Sequence, residues 1–324
     1  ASFAVEVMFG GDWIVDLVEE HGISSRSGLT LRVEAVPYHS PQFGRITPGR
    51  DMSVTPRALV TIQGQAQDDF GLERVELVVE CVRAEGPGPV RTVTLDVVNG
   101  RTVTQKPWSM VMDFEKEKAV PGDLYKFQPR ASDHLGQWGG GRQLTLSVVS
   151  PETLQEELSA ELRELEKTLT EMTSSEQRVV ELSEGLAAAS GAIPAAMLKE
   201  ASETQQGLEP RIGTVRDKVT EIGERIEMNR LAAGEIGRVL GALDAGMTRL
   251  AEIESPAALE SLRRTRDGGD RKDPLSKSKT CLASLREMLK LLSGSKGLME
   301  AVGQLEGLIR LQEGISQGAG KLKE

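Results

Sequence analysis

Four aspartates are the first side chains with the chemistry to form a site. Asp68 and Asp69 precede Gly71, Asp123 follows Gly122, and Asp133 lies in a second polar turn. Carboxylate oxygens contributed by several loops suit Ca²⁺, which takes roughly six to eight oxygen ligands. The simpler expectation is turn chemistry, in which an Asp side chain accepts from backbone N–H groups one or two residues on. No stretch has the spacing of an EF-hand loop. Trp108 and Trp138 are the other candidates, as aromatic platforms for a ligand such as a carbohydrate. An aromatic residue in a sheet protein is more often part of the core.

Several catalytic patterns occur without their context. Gly314, Ser316 and Gly318 have the spacing of a nucleophile elbow, which needs a strand-to-helix turn and a nearby His. The last His is His134. Gly320-Lys321 is followed by Leu322 rather than Ser or Thr, and no strand precedes it, so a phosphate loop is not expected. Ser276 with Lys279, and Ser293 with Lys296, repeat a Ser-Lys spacing without the companion elements. His21, His39 and His134 lack metal-ligand spacing. Cys81 and Cys281 are too few for a disulfide framework or a zinc site and read as free core thiols. The expectation is a protein that is not an enzyme and that takes no cofactor.

The elements that would carry these residues divide the chain in two. All three Trp, both Tyr and all six Phe lie at or before Trp138. Sheets favour aromatic and β-branched residues, whereas Ala, Leu, Glu, Lys and Arg suit helices. The 324 residues, 39% hydrophobic and 27% charged, are those of a folded multidomain chain. A net charge of −10 argues against nucleic acid as a partner. No run approaches about 18 apolar residues, so a membrane would be reached only through a segment absent from this chain. The chain opens at Ala1 on a strand-like run and is expected to be an excised or processed piece.

Strand-like runs separated by turn signals fill the first part. Phe3–Phe9, Trp13–Val18 and Leu29–Val36 read as strands, too few for a sandwich, so residues 1–36 are expected to be a partial β-sandwich, the tail of a preceding domain. Residues 37–150 hold about seven strands at the spacing of an immunoglobulin-like β-sandwich, with turns expected at Gly86–Pro89 and Asn99-Gly100. The Cys–Trp–Cys signature is missing.

Residues 151–324 read as a helical section. Ser150-Pro151-Glu152 suits a helix start. Leu154, Leu158, Leu162, Leu165, Leu169 and Met172 form one near-heptad seam. Leu208, Ile212, Val215, Val219, Ile222 and Ile226 form another. Two helices with such seams would make a long antiparallel hairpin. Gly234, Gly237, Gly241 and Gly246 would be tolerated if a neighbouring helix came close. Residues 264–279 read as a polar loop. A last helical pair is expected over Leu282–Leu292 and Leu298–Ile309. The fold class expected is multidomain all-β plus all-α, an immunoglobulin-like β-sandwich followed by a long helical hairpin or coiled-coil bundle.

The runs 55–80, 120–139 and 146–158 carry a resemblance. Ala66, Asp68, Asp69 and Gly71 match an Ala-x-Asp-Asp-Tyr-Gly segment, with Phe70 for Tyr. Gly122, Asp123 and Tyr125 match a Gly-Asp-x-Tyr segment that leads to Ala131 and Asp133, with His134 for Asn. With coiled helices following, this resembles a family of large membrane-anchored envelope proteins of planctomycete-type bacteria, over residues 28 to 265. The resemblance implies an extracytoplasmic placement and supplies no activity. The function expected is a non-enzymatic structural or protein-interaction component of the bacterial cell envelope, with protein partners or self-association through the helices. The alternative is an extracytoplasmic ligand-binding module, for carbohydrate or for Ca-dependent adhesion.

Overall fold

The computed structural model describes residues 10–15, 18, 20–23, 28–34, 39–83, 86–98, 103–231 and 234–294. Phe3–Phe9, Asn99-Gly100, the pair Leu298–Ile309 and the Ser316 and Lys321 patterns lie outside them.

Gly11–Val15 (β1) pairs antiparallel with Leu29–Val33 (β2). The described residues of the first section add a bridge at Val18 and a turn at 20–22, and Ile14, Leu29 and Leu31 on the ladder are exposed. Nine strands follow: Gln42–Phe43 (β3), Met52–Val54 (β4), Leu59–Gln67 (β5), Leu72–Arg83 (β6), Gly86–Val97 (β7), Gln105–Asp113 (β8), Leu124–Asp133 (β9), Trp138–Gly140 (β10) and Leu144–Val148 (β11). They form two sheets, one ordered β4-β11-β9-β6-β7 with β10 on β9, the other β3-β5-β8. Alternation places Val60, Ile62 and Ala66 of β5 against Tyr125, Phe127 and Ala131 of β9 in one core. Phe114 meets Tyr125 edge-on at 5.0 Å.

The expected immunoglobulin-like β-sandwich is corrected here. The two sheets are open and are not hydrogen-bonded into one another. The larger is mixed, because β4 runs parallel to β11. The Gly86–Pro89 stretch is strand rather than turn, with Pro87 opposite Val82. Its prolines are tolerated because β7 is an edge strand, where no outward N–H is needed.

The helical section begins with Pro151–Ala188 (α1), whose 38 residues span about 57 Å. Ser150 Oγ accepts from Thr153 N at 3.1 Å, and Pro151 fills a first-turn position that has no N–H to lose. Ala195–Gln206 (α2), Leu208–Met228 (α3), Gly234–Arg249 (α4) and Ser255–Arg266 (α5) follow, with a π turn at Leu250–Glu254 joining α4 to α5. Residues 273–294 form a further helix (α6), so the polar stretch 264–279 is only partly a loop.

The long two-helix hairpin is corrected as well. The seams of α1 and α3 meet inside a bundle shared with α4 and α6, where Leu240, Leu243, Cys281 and Leu285 join them. A second, smaller core of Val179, Leu182, Leu186, Leu198, Ala201 and Leu262 ties α2 and α5 to the far end of α1. Among the described residues no helix is long and apolar enough to cross a membrane. The membrane anchoring implied by the resemblance is thus not carried by any helix among the described residues.

Candidate interaction site at the sheet–helix joint

The parallel pairing of β4 with β11 sets up the joint. Parallel strands end on the same side, so Thr55, just past β4, sits beside Ser150, where α1 starts. Val149 N donates to Val54 O at 2.8 Å and carries that pairing to the helix. The end of α3 returns to the same place. Asn229 Oδ1 accepts the Thr55 N–H at 2.6 Å, and Asn229 Nδ2 donates to Arg225 O at 2.8 Å. Asn229 is 2% exposed, so its amide satisfies a buried strand N–H and a buried helix carbonyl together.

One turn back, Arg225 is 3% exposed. Its guanidinium donates to Glu161 Oε1 at 2.6 Å and to Glu157 Oε2 at 2.7 Å, both on α1. Ser53 Oγ of β4 donates to Glu157 Oε1 at 2.9 Å. Arg50 pairs with Glu221 and stands 3.8 Å from Glu161. Two arginines thus bind three carboxylates where sheet, α1 and α3 meet. Charge-assisted hydrogen bonds of this kind impose geometry as well as attraction. On the other flank Arg230 reaches Glu115 at 3.4 Å and Asp113 at 4.0 Å. Desolvation pushes the Asp113 carboxyl up, but hydrogen bonds from Lys116 and the charges of Lys116 and Arg230 outweigh it and hold the group below its ordinary value. A cleft of about 440 Å³ lies between Gln63, Thr61 and Thr47 of the sheet side and Glu224, Glu227 and Arg230.

The four aspartates do not converge. Asp123 precedes β9 and Asp133 ends it, which separates them by about 30 Å at ~3.3 Å per residue. Each works in its own turn. Asp68 Oδ2 accepts from Phe70 N at 2.8 Å, and Asp123 Oδ2 accepts from Val120 N at 3.1 Å. Asp133 Oδ1 accepts from Leu135 N at 2.8 Å and Gln137 N at 2.9 Å. Asp69 pairs with His39 at 3.5 Å on the wall of a cleft of about 480 Å³ that Asp68, Gln67 and Gln105 also line. Among the described residues no three His, Cys, Asp or Glu side chains group to hold a metal ion.

Trp108 is buried, with Phe43 edge-on at 6.3 Å, and offers no platform. Trp138 is 47% exposed, and the Arg130 guanidinium covers its ring at 4.8 Å. The seam residues Leu158, Leu162, Leu165 and Leu169 of α1 and Ile212, Val215, Val219 and Ile222 of α3 are all buried in the bundle core. They face one another within the chain rather than a partner. Both cysteines are free and buried. Ser276 and Lys279 lie on α6.

Sequence reasoning missed Arg225, Asn229 and Glu176. The Glu176 signal was present: the α1 seam continues past Met172 as Glu176, Val179, Ser183 and Leu186, at the same alternation of steps, and all of these are buried. Asn229 carries no local signal, since its partner is Thr55.

No family model and no curated protein matches the chain. Among solved structures, a Niemann-Pick type C2 protein from Japanese carpenter ant is 11% identical, with a TM-score of 0.25, over 36% of this chain and 97% of its own. Astrotactin-2, described as a vertebrate-specific, perforin-like membrane protein involved in neuronal development, is 14% identical, with a TM-score of 0.24, over 86% of this chain and 40% of its own. Likenesses this distant carry no argument about fold or function. The helical section, with its extensive helix–helix packing and surface ion pairs such as Arg178–Glu200 and Lys279–Glu184, is consistent with a general protein-interaction surface.

Proposed function

We propose that this chain is a non-enzymatic structural module that holds a helical arm stiffly on a β-sheet unit and presents it to other proteins. The joint is the observation that carries the reading. A connection used only as a tether needs no buried hydrogen bonds across it. Here the Thr55 N–H is joined to Asn229 in the interior, Ser53 donates to Glu157, and Arg50 pairs with Glu221, all from the sheet side to the helices. Arg225 braces the helical side by holding α3 to Glu157 and Glu161 of α1. A tilt of the arm would break the first of these contacts and leave a buried N–H unpaired. The resemblance to envelope proteins supports an extracytoplasmic setting. The ligand-binding alternative has less support, since Trp108 is in the core and Arg130 covers Trp138.

Crosslinking in the native cell tests this. A photo-crosslinker at exposed Lys218 on α3 is expected to capture discrete protein species, a second copy of the chain included. Arg225→Met, still folded by circular dichroism, is expected to lose them. Capture that is absent, or unchanged by Arg225→Met, would count against a stiffly presented arm.

A further inference from the structure

The helical section has two apolar cores, and a polar layer separates them. On α1 the larger core ends at Met172 and the smaller begins at Val179. Glu176 lies between, 1% exposed, and its Oε1 has no hydrogen-bond partner. Gln205 of α2 enters the layer and donates to Ser255 Oγ at 3.2 Å, while its Oε1 is buried and unpartnered. Cys281 comes from α6, and burial, then the charges of Glu176 and Glu254, push its thiol up. Glu254 of the π turn has its own cation, Arg249 at 3.0 Å, and accepts from Ser284 Oγ at 3.0 Å.

Glu176 and Glu254 both act on the Cys281 thiol, and no cation among the described residues pairs with Glu176. Arg178 is committed to Glu200 and Glu181, and Lys279 to Glu184, while Arg211 of α3 donates to Ser175 at 3.4 Å and Arg286 of α6 to Gln177 at 2.9 Å, all on exposed faces. An isolated carboxylate in such a place is costly enough that the group stays neutral. The layer is also where the helical path changes. α2 gives way to α3 at Gly207, two residues past Gln205, and α4 gives way to α5 through the π turn at Leu250–Glu254. A π turn inside a helix often marks a functional site. Beyond the layer, the outer half is held by the smaller core and by Arg271, which donates to Ala189 O at 2.7 Å and Gly191 O at 2.5 Å.

From this placement we infer that Glu176 makes the layer a proton-dependent latch: the closed outer half of the bundle requires the neutral acid, and loss of the proton opens that half at the layer. The proton is held well above the ordinary carboxyl value of 4.5, to about 8, because burial penalises the charged form. In the open form the group returns to its ordinary value. Opening is then favoured as pH rises between those two values, and the effect levels off above the higher one.

Hydrogen–deuterium exchange of the full chain from pH 5 to 9, corrected for intrinsic rates, tests the latch. Protection within 177–188, 195–206 and 255–266 is expected to fall by about tenfold per pH unit between roughly pH 5 and 8, then to level off. The sheets and the inner core should not follow. Glu176→Gln is expected to remove the pH dependence, and Glu176→Met makes the same comparison should the first variant fail to fold. Protection of the outer half that does not change with pH in the wild type overturns the proposal. So does a wild-type slope that persists in the variants.

Discussion

Asn229 Oδ1 accepts the backbone N–H of Thr55 at 2.6 Å across 174 residues of sequence. The bond joins the end of β4 to the end of α3, and it exists because β4 lies parallel to β11, beside the start of α1. The helical section is thus fixed to the sheet by the chain at Ser150 and by the buried Asn229 side chain, with the pairs of Ser53, Arg50 and Arg230 around them.

Asn229→Ala leaves the Thr55 N–H buried without an acceptor. A loss of about 1–3 kcal/mol is expected in urea unfolding, the usual cost of such an orphan. Asn229→Asp keeps an acceptor but, when ionised, buries a carboxylate against Arg225 O, so its loss should shrink as pH falls while that of Asn229→Ala does not. A loss below about 0.5 kcal/mol in Asn229→Ala would show that the hydrogen bond is not what matters.

Arg225→Met removes the buried cation between Glu157 and Glu161. Breaking a buried pair costs about 3–5 kcal/mol. The two carboxylates are roughly a third exposed, and solvent screening brings the expectation down to about 2–3 kcal/mol. The triple variant with Glu157→Gln and Glu161→Gln should recover most of that loss, read by chemical denaturation.

Glu176 gives stability a pH dependence of definite sign. Its folded-state value is raised from 4.5 to about 8, so its contribution is fully present below about 4.5 and is lost as pH rises to about 8. Glu176→Met should be more stable than wild type at pH 8, by several kcal/mol at most, and close to it at pH 4. A difference that is the same at both pH values would refute the ionisation argument.

Two glycines should respond in opposite directions. A Cβ at Gly64 would stand 2.8 Å from Trp108 Cζ2, so Gly64→Ala is expected to destabilise by about 1–3 kcal/mol and to shift Trp fluorescence. A Cβ at Gly241 would meet nothing within 4 Å, so Gly241→Ala should stabilise by up to about 1 kcal/mol. Close helix approach was the reason expected for glycine in α4, and it applies to Gly246, against Met288, but not to Gly241.

Calcium should leave the melting temperature unchanged, with or without chelator, because Asp123 and Asp133 lie at opposite ends of β9. A rise of several degrees would require a site that these turns do not form.

The parts legible in the sequence were those that depend on neighbours along the chain. The change from strand to helix at Ser150-Pro151, and the buried faces of α1 and α3, follow from capping chemistry and from apolar steps of three and four. Pairing across the chain was not legible. Nothing near Met52–Val54 indicates that it joins β11 in parallel, and that pairing makes the larger sheet mixed and builds the joint. Polar residues in apolar roles were missed for a related reason. Glu176 keeps the rhythm of its seam but not its chemistry, and Arg225 reads as a surface residue until Glu157 and Glu161 are brought against it.

The stiffness of the joint is open to direct measurement. Spin labels at Val90→Cys on β7 and Lys218→Cys on α3 occupy exposed positions, and the native cysteines are buried. Double electron–electron resonance at pH 6 is expected to give one narrow distance distribution in this background, and a broadened one when Asn229→Ala and Arg225→Met are added. A broad or two-peaked distribution without those two substitutions would contradict the proposal that sheet and helical arm form one stiff body.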